Sequence, residues 1–254
     1  MSKVGDKLGI DYELTVKNIY FEDNGMRLLK CINSKEKNRL EAVIEFDSTY
    51  FDIEYLIEES VNIRNIRQDG IPKIYNVFSD KESTYIFTEF IEGSTLEEYF
   101  NEYAIAYEDK IKLIEIIGTA ISYIHRYQGE TLVDKIAPGN ILVTEEGLVY
   151  LLEYGFTKYM KRDISYGIST NVYLAPELTE NYEITRVMDF RSDIYAFGGL
   201  IYYILTEKKP NKKTILADEL KPYIEKIVLK CLSEDMDDRY DTIDQVLRDM
   251  KKNS

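Results

Sequence analysis

"VDKIAPGNILVTEEGLVYLLEYG", residues 133–155, is the stretch from which the rest of the chain can be organised. A tight Pro138-Gly139-Asn140 turn leads into a short apolar run, Gly147 makes a second turn, and another apolar run ends close to Gly155. Short apolar runs bracketed by turn residues read as two strands joined by a hairpin. Charged residues stand at both ends of the unit, Lys135 before the turn and Glu153 after the second run.

The texture of the chain differs on the two sides of this unit. Toward the N-terminus, 12–21, 26–33 and 40–46 read as strands separated by polar, turn-rich pieces. Residues 51–67 break that rhythm, with Ile53, Leu56, Ile57, Val61 and Ile63 spaced for a single helix. Residues 71–91 then read as two more strands around a charged hairpin. From Gly93 the pattern becomes helical. Ser94 stands three residues before Glu97, a capping-box spacing. Residues 108–127 repeat apolar side chains at 111, 113, 114, 117, 120, 121 and 124, a helical period. Beyond 155 come a continuous apolar helix over 194–205 and two closing helices, within 219–233 and 242–252. The fold class is therefore α+β, with a small β-rich N-terminal lobe (1–91) containing one helix and a larger, mainly helical lobe (92–254).

Composition narrows the functions available. A formal net charge of −14 argues against a nucleic-acid partner, whose phosphates need a basic footprint. Cys31 and Cys231 lie far apart without metal-ligand spacing and read as buried free thiols in a reducing compartment. A single histidine, His125, leaves no basis for a histidine-rich metal centre or a Ser-His-Asp triad. The opening "MSKVGDKLGI" has no apolar signal region, and the 194–205 run is too short to cross a bilayer. No membrane contact and a cytoplasmic location are expected.

Taken in order, these segments resemble the eukaryotic-type protein kinase family, including its bacterial Ser/Thr members, over nearly the whole chain. "VDKIAPGNIL" stands where the family has H-R-D-L-K-P-x-N-I-L, and "EYG" (153–155) where it has D-F-G. Ala175-Pro176-Glu177 matches A-P-E, Asp193 leads the buried helix, and Arg239 lies in the segment that pairs with the A-P-E glutamate. The resemblance implies a bilobal kinase-like fold, a Glu177–Arg239 pair, and an Asp193 that caps amides of the 133–140 loop. It implies an adenine pocket of Leu29, Ala42, Thr88 (the gatekeeper), Glu89, Ile91 and Leu142, with Asn140 and Glu153 as metal ligands. An apolar stack linking the lobes maps to Val133, Tyr154, Ile63 and a strand residue near Ile74.

The departures fall on polar positions. The glycine-rich loop positions align with Glu22, Asn24 and Arg27, where a glutamate would repel a triphosphate and side chains would obstruct backbone approach. The phosphate-holding lysine is Ile44, which strands Glu59, the helix-C glutamate. The catalytic base is replaced by Lys135 next to Asp134, the lysine two residues on by Ala137, and the D-F-G aspartate by Glu153. A lysine serves as a base only after strong desolvation. An extra methylene in Glu153 displaces a carboxylate where positioning is costly to lose. A Lys135–Glu153 ion pair could instead clasp the site shut.

Apolar positions survive while the phosphate-facing ones, Asn140 excepted, are changed. That asymmetry gives the expectation of a pseudokinase: not an enzyme, but a regulatory or protein-binding module whose partner is a protein such as an active kinase or another enzyme, with no cofactor. The alternative is an ATP-binding switch, or an enzyme of altered phosphoryl or nucleotidyl transfer, taking ATP with Mg or Mn.

Overall fold

The computed structural model describes residues 1–9, 13–23, 25–51, 53–54, 56–58, 64, 68–128, 136–152, 172–178, 189–211 and 220–252. Among them, those of 1–67 and 71–92 form one compact unit, and those of 68–70 and 93 onward form a second.

Unit 1 is an antiparallel sheet of six strands in the order β1-β2-β3-β4-β6-β5. The strands are β1 (Lys7–Leu8), β2 (Leu14–Asp23), β3 (Met26–Asn33), β4 (Arg39–Asp47), β5 (Ile74–Ser79) and β6 (Ser83–Glu89). The runs between turn-rich pieces located β2, β3 and β4 to within two residues, and the 71–91 stretch holds β5 and β6. The two-residue β1 was too short to carry any such signal. Of the expected helix at 51–67, Ile53, Glu54 and Leu56–Glu58 are helical and Leu56 is fully buried. Val61 and Ile63 lie outside the described residues.

One face of this sheet builds the core of the unit, from Leu8, Leu14, Val16, Leu29, Cys31, Val43, Tyr85 and Phe87. Two glutamates of β4 are buried at its margins, and both are satisfied, as burial of charge requires. Glu41 accepts hydrogen bonds from Arg39 Nη2 (2.6 Å) and Asn33 Nδ2 (2.9 Å). Glu45 accepts from the backbone N–H of Ser2 (2.8 Å) and from its hydroxyl (2.9 Å). The Cys31 thiol is pushed up to about 12, first by burial and then by these two carboxylates, so it stays protonated. Gly25 closes the β2–β3 turn at φ +78°, where a Cβ would stand 2.5 Å from the Tyr50 ring.

Unit 2 has a small sheet, β7 (Ser94–Thr95), β8 (Ile141–Val143) and β9 (Val149–Leu151). Its helices are α1 (Leu96–Glu102), α2 (Tyr107–Gln128), α3 (Phe190–Thr206), α4 (Pro222–Cys231) and α5 (Ile243–Lys252). The capping box is one residue later than expected. Thr95 is the N-cap, its Oγ1 accepts from Glu98 N–H (3.2 Å), and the Glu98 carboxylate accepts from Thr95 N–H (2.8 Å). Ser94 and Thr95 both belong to β7, opposite Val143 and Leu142 respectively.

Helix α3 is the axis of unit 2, buried from Ser192 through Ile204. It is apolar on all sides, as a helix surrounded by protein should be. Helix α4 approaches closely enough that a Cβ on Gly198 would fall 2.4 Å from Cys231 Cβ. The Gly198→Ala substitution should therefore force the helices apart and lower stability by about 1–3 kcal/mol, the usual range for overpacking. Urea unfolding of wild type and variant measures it, and equal midpoints would contradict the tight α3–α4 contact.

Candidate functional site

Strand pairing decides which side chains of unit 1 can serve together. In β3 and β4, Lys30 is directly opposite Ala42 and Leu28 is opposite Ile44. In β4 and β6, Ala42 is opposite Thr88 and Ile44 opposite Ile86. Directly paired residues share a face. Lys30, Ala42 and Thr88 therefore form one row, and Leu28, Ile44 and Ile86 form the next, both on the face opposite the core.

This corrects the assignment of Leu29 to the adenine pocket. Leu29 pairs with Val43, is fully buried, and belongs to the core on the other face. A one-residue slip turns every side chain over, and Leu28 is the residue that shares Ala42's face. The loop positions move in the same way. Glu22 and Arg27 are cross-strand partners joined by an ion pair, and Arg27 in turn pairs with Glu45 on the core-side face. Arg27 neutralises Glu22 on the face away from Ala42, so the expected repulsion of a triphosphate does not operate there. Asn24 lies outside the described residues.

Ile44, at the phosphate-lysine position, is 6% exposed among apolar neighbours and offers no charge. Among the described residues this face carries a cation in Lys30, which sequence reasoning missed. Its ammonium lies 4.4 Å from the centroid of the Phe90 ring, a cation–π contact. Counting alternation outward from Ala42 through the β3–β4 hairpin would have found it. Thr88 is buried and donates its hydroxyl to the Lys73 carbonyl (2.9 Å), which also accepts from Glu89 N–H (2.8 Å). Glu89 and Ile91 are both half-buried, and the Glu89 carboxylate accepts from Lys73 N–H (3.3 Å).

In unit 2, Pro138–Asn140 forms one turn of 3-10 helix with Ala137 as its N-cap. Asn140 N–H donates to the Ala137 carbonyl (3.0 Å), and Leu152 N–H to the Asn140 carbonyl (2.8 Å). The backbone on both sides of Asn140 is thus pinned, with its side chain half-buried. Leu142 is half-buried in β8, opposite Tyr150 and Thr95. Lys135, Glu153 and Glu59, with Val133, Asp134 and Tyr154, lie outside the described residues, and so does the Lys135–Glu153 clasp. Among the described residues no group of three or more His, Cys, Asp and Glu side chains could hold a metal.

Glu177 and Arg239 meet in a two-pronged pair, Nη1 to Oε1 at 2.7 Å and Nη2 to Oε2 at 2.8 Å. The Arg239 side chain is fully buried and also donates to the carbonyls of Ser233, Arg191 and Glu234. Ser192 adds a hydroxyl to Glu177 Oε1 (2.8 Å). Burial pushes the Glu177 carboxyl up, but the hydrogen bonds from Arg239 and Ser192 and from backbone outweigh it and hold the group below the usual carboxylate range. Asp193 is 1% exposed, and its Oδ2 lies 2.8 Å from His125 Nε2. A carboxylate only accepts, so the imidazole N–H donates. The His125 ring stacks on Phe190 with centroids 4.4 Å apart. Of the 133–140 loop whose amides Asp193 was expected to cap, residues 133–135 lie outside the described residues. A buried aspartate in an apolar helix demands a donor, and that demand was the sequence signal for His125.

With this geometry in hand, comparison with known proteins is decisive for the family. Residues 15–252 match the family described as protein kinase domain, and the chain belongs to it. A probable serine/threonine-protein kinase of Clostridium perfringens is 25% identical over 98% of this chain and 39% of its own length. The serine/threonine-protein kinase PrkC of Bacillus subtilis is 26% identical over 76% of this chain and 32% of its own. The chain thus spans well under half the length of these relatives. The crystal structure of Rad53 1-466 in complex with AMP-PNP superposes with a TM-score of 0.76 at 20% identity, covering 96% of this chain and 66% of that one. That likeness shows the α+β kinase fold. Among the described residues no helix is long and apolar enough to cross a membrane.

These findings overturn the expectation that the chain is not an enzyme. Its relatives are named as serine/threonine-protein kinases, which are enzymes. Replacing individual polar side chains removes particular donors and leaves the frame that positions them, and the two replacements nearest the chemistry lie outside the described residues.

Breaking the Glu177–Arg239 pair from the acidic side strands a buried guanidinium, so Glu177→Ala should cost about 3–5 kcal/mol in urea unfolding. The pH dependence follows from the lowered carboxyl. The pair's contribution is complete above the unfolded-state value of about 4.3 and is lost as pH falls through the lower folded value. The stability gap between wild type and Glu177→Gln should hold from neutral pH to about 5 and narrow below about 4. A gap that widens on acidification would contradict the assignment.

Proposed function

We propose that the chain is a nucleotide-dependent phosphotransfer enzyme of the protein kinase family, acting with an altered set of phosphate contacts and with a protein as substrate or regulatory partner. The observation that carries it is the Lys30–Ala42–Thr88 row. A small side chain that leaves room for a base, a gatekeeper whose hydroxyl is already satisfied, and a cation held ready on an aromatic ring share one face. The nucleotide bound by Rad53 in its crystal structure, AMP-PNP, supports ATP as the ligand class.

In this reading Ala42 and Leu28 contact the base, with backbone groups of Glu89 and Ile91 at its edge. Lys30 supplies positive charge that Ile44 cannot. Asn140, fixed by the backbone bonds on either side, would hold Mg or Mn together with Glu153. A divalent ion there neutralises phosphate charge, which is most of what phosphoryl transfer asks of its site. The donor set fits in Asn140 and is completed only by a residue beyond the described part. Positioning therefore rests on the Glu177–Arg239 lock and on Asn140.

Thermal-shift titration tests this directly. ATP with Mn or Mg at a hundred times its Kd should add roughly 2.7 kcal/mol of apparent stability. Lys30→Gln should weaken that gain with or without metal, whereas Asn140→Ala should remove only its metal-dependent part. A melting temperature indifferent to ATP under all these conditions would refute the proposal.

A further inference from the structure

Three elements of unit 2 converge on two buried phenols and one carboxylate that the nucleotide chemistry leaves unused. Tyr173, just before the Ala175-Pro176-Glu177 segment, is 5% exposed and lies against α3. A Cβ on Gly199 would stand 3.1 Å from its ring and 3.3 Å from Pro210. Tyr203 follows Gly199 by four residues and so shares that face of α3. The Tyr203 ring lies 5.9 Å from that of Phe100 of α1, centroid to centroid. Glu97 stands three residues before Phe100, on the same face of α1. The electrostatics agree with this placement. Burial is the first cause that raises both phenols above their ordinary value. For Tyr173 the next causes are Tyr203 and then Glu97, and for Tyr203 they are Glu97 and then Glu207.

The two carboxylates of the cluster differ in what they meet. Glu207 is bonded by Lys110 at 2.6 Å, and that ammonium also lies 5.3 Å from the centroid of the Phe100 ring. Glu97 is half-buried and forms no ion pair among the described residues. Lys110 and Glu207 cancel, so the cluster keeps the negative charge of Glu97. A carboxylate that has given up part of its hydration gains from an arriving cation. The faces of neighbouring phenol rings favour the same guest, and a planar guanidinium above all. Beside Tyr173, Val172 is 44% exposed and offers apolar surface for the rest of a docking segment. Glu177, four residues past Tyr173, is locked to Arg239, so the site is held ready before anything binds.

We propose that Glu97, Tyr173 and Tyr203 receive an arginine side chain from a basic segment of the protein substrate, an inference that rests on the protein-substrate reading above. The guanidinium donates two parallel hydrogen bonds to the Glu97 carboxylate and lays its face on a phenol ring. Lysine offers only a point charge and fits less well. The net charge of −14 draws any basic peptide toward the chain, so encounter is general and selectivity lies in the pair at Glu97.

Fluorescence anisotropy tests the site, using the full chain and a labelled peptide of arginines spaced by Gly-Ser, without nucleotide and at about 0.15 M salt. Wild type should bind this peptide more tightly than its lysine counterpart. Glu97→Gln should weaken binding by about tenfold or more. Glu102→Gln removes an exposed carboxylate from the same helix and should change affinity by less than about twofold. A wild type that does not bind, a lysine peptide that binds as tightly, or equal effects of Glu97→Gln and Glu102→Gln would each overturn the proposal. Should Glu97→Gln fail to fold, Glu97→Asp decides in its place, since it keeps the charge but sets it one methylene short. Unchanged affinity in that variant would contradict the paired geometry. Binding is read without nucleotide, so the two readings fail separately. A chain that ignores ATP but binds the peptide through Glu97 upholds the basic-segment site and refutes the nucleotide reading. A chain that responds to ATP but not to the peptide does the reverse.

Discussion

A fully buried guanidinium has no water to fall back on, so every one of its donors must find an oxygen in the protein. Arg239 meets that demand with both Glu177 oxygens and three backbone carbonyls drawn from 191, 233 and 234. In doing so it ties the Pro176–Leu178 turn to the start of α3 and to the segment between α4 and α5. Ser192 and Arg191 extend the network, the latter through Asp189 and Asp237. Removing the ion pair as a whole is often tolerated in proteins, but removing half of it is not. The geometry of unit 2 is therefore held by a contact that fails sharply rather than gradually.

The same logic of satisfied burial recurs where the sequence looks least like a core. Glu41 and Glu45 are buried in β4, one beneath Arg39 and Asn33 and the other beneath Ser2. Asp193 lies inside α3 with His125 as its donor. Polar groups at these places fix register and orientation, because a shifted strand or rotated helix would leave them unpaired.

Much of this was legible from the amino acids. Runs bounded by turn-rich pieces located the long strands, a 3.6-residue period located α2, and the paired positions Glu177 and Arg239 followed from the order of motifs. Parity was harder. Nothing in "MRLLKCIN" says whether Leu28 or Leu29 faces Ala42, since both are leucine, and only pairing across the hairpins resolves it. The same ambiguity hid Lys30 and placed Glu22 on the wrong face. The cap lies at Thr95 rather than Ser94 because adjacent Glu97 and Glu98 give both residues the capping-box spacing, which the sequence leaves open. The non-enzyme expectation, drawn from counting replaced residues one position at a time, is overturned by relatives named as serine/threonine-protein kinases.

The central claim is that this kinase-family frame still transfers phosphate, with charge supplied from places the family pattern does not lead one to look. Incubating the purified chain with γ-labelled ATP and Mg or Mn, and following the label into protein and into inorganic phosphate, tests it most directly. The account predicts metal-dependent transfer that falls in Lys30→Gln and in Asn140→Ala. Label that stays wholly in ATP, with the protein folded and saturated with nucleotide, would contradict it.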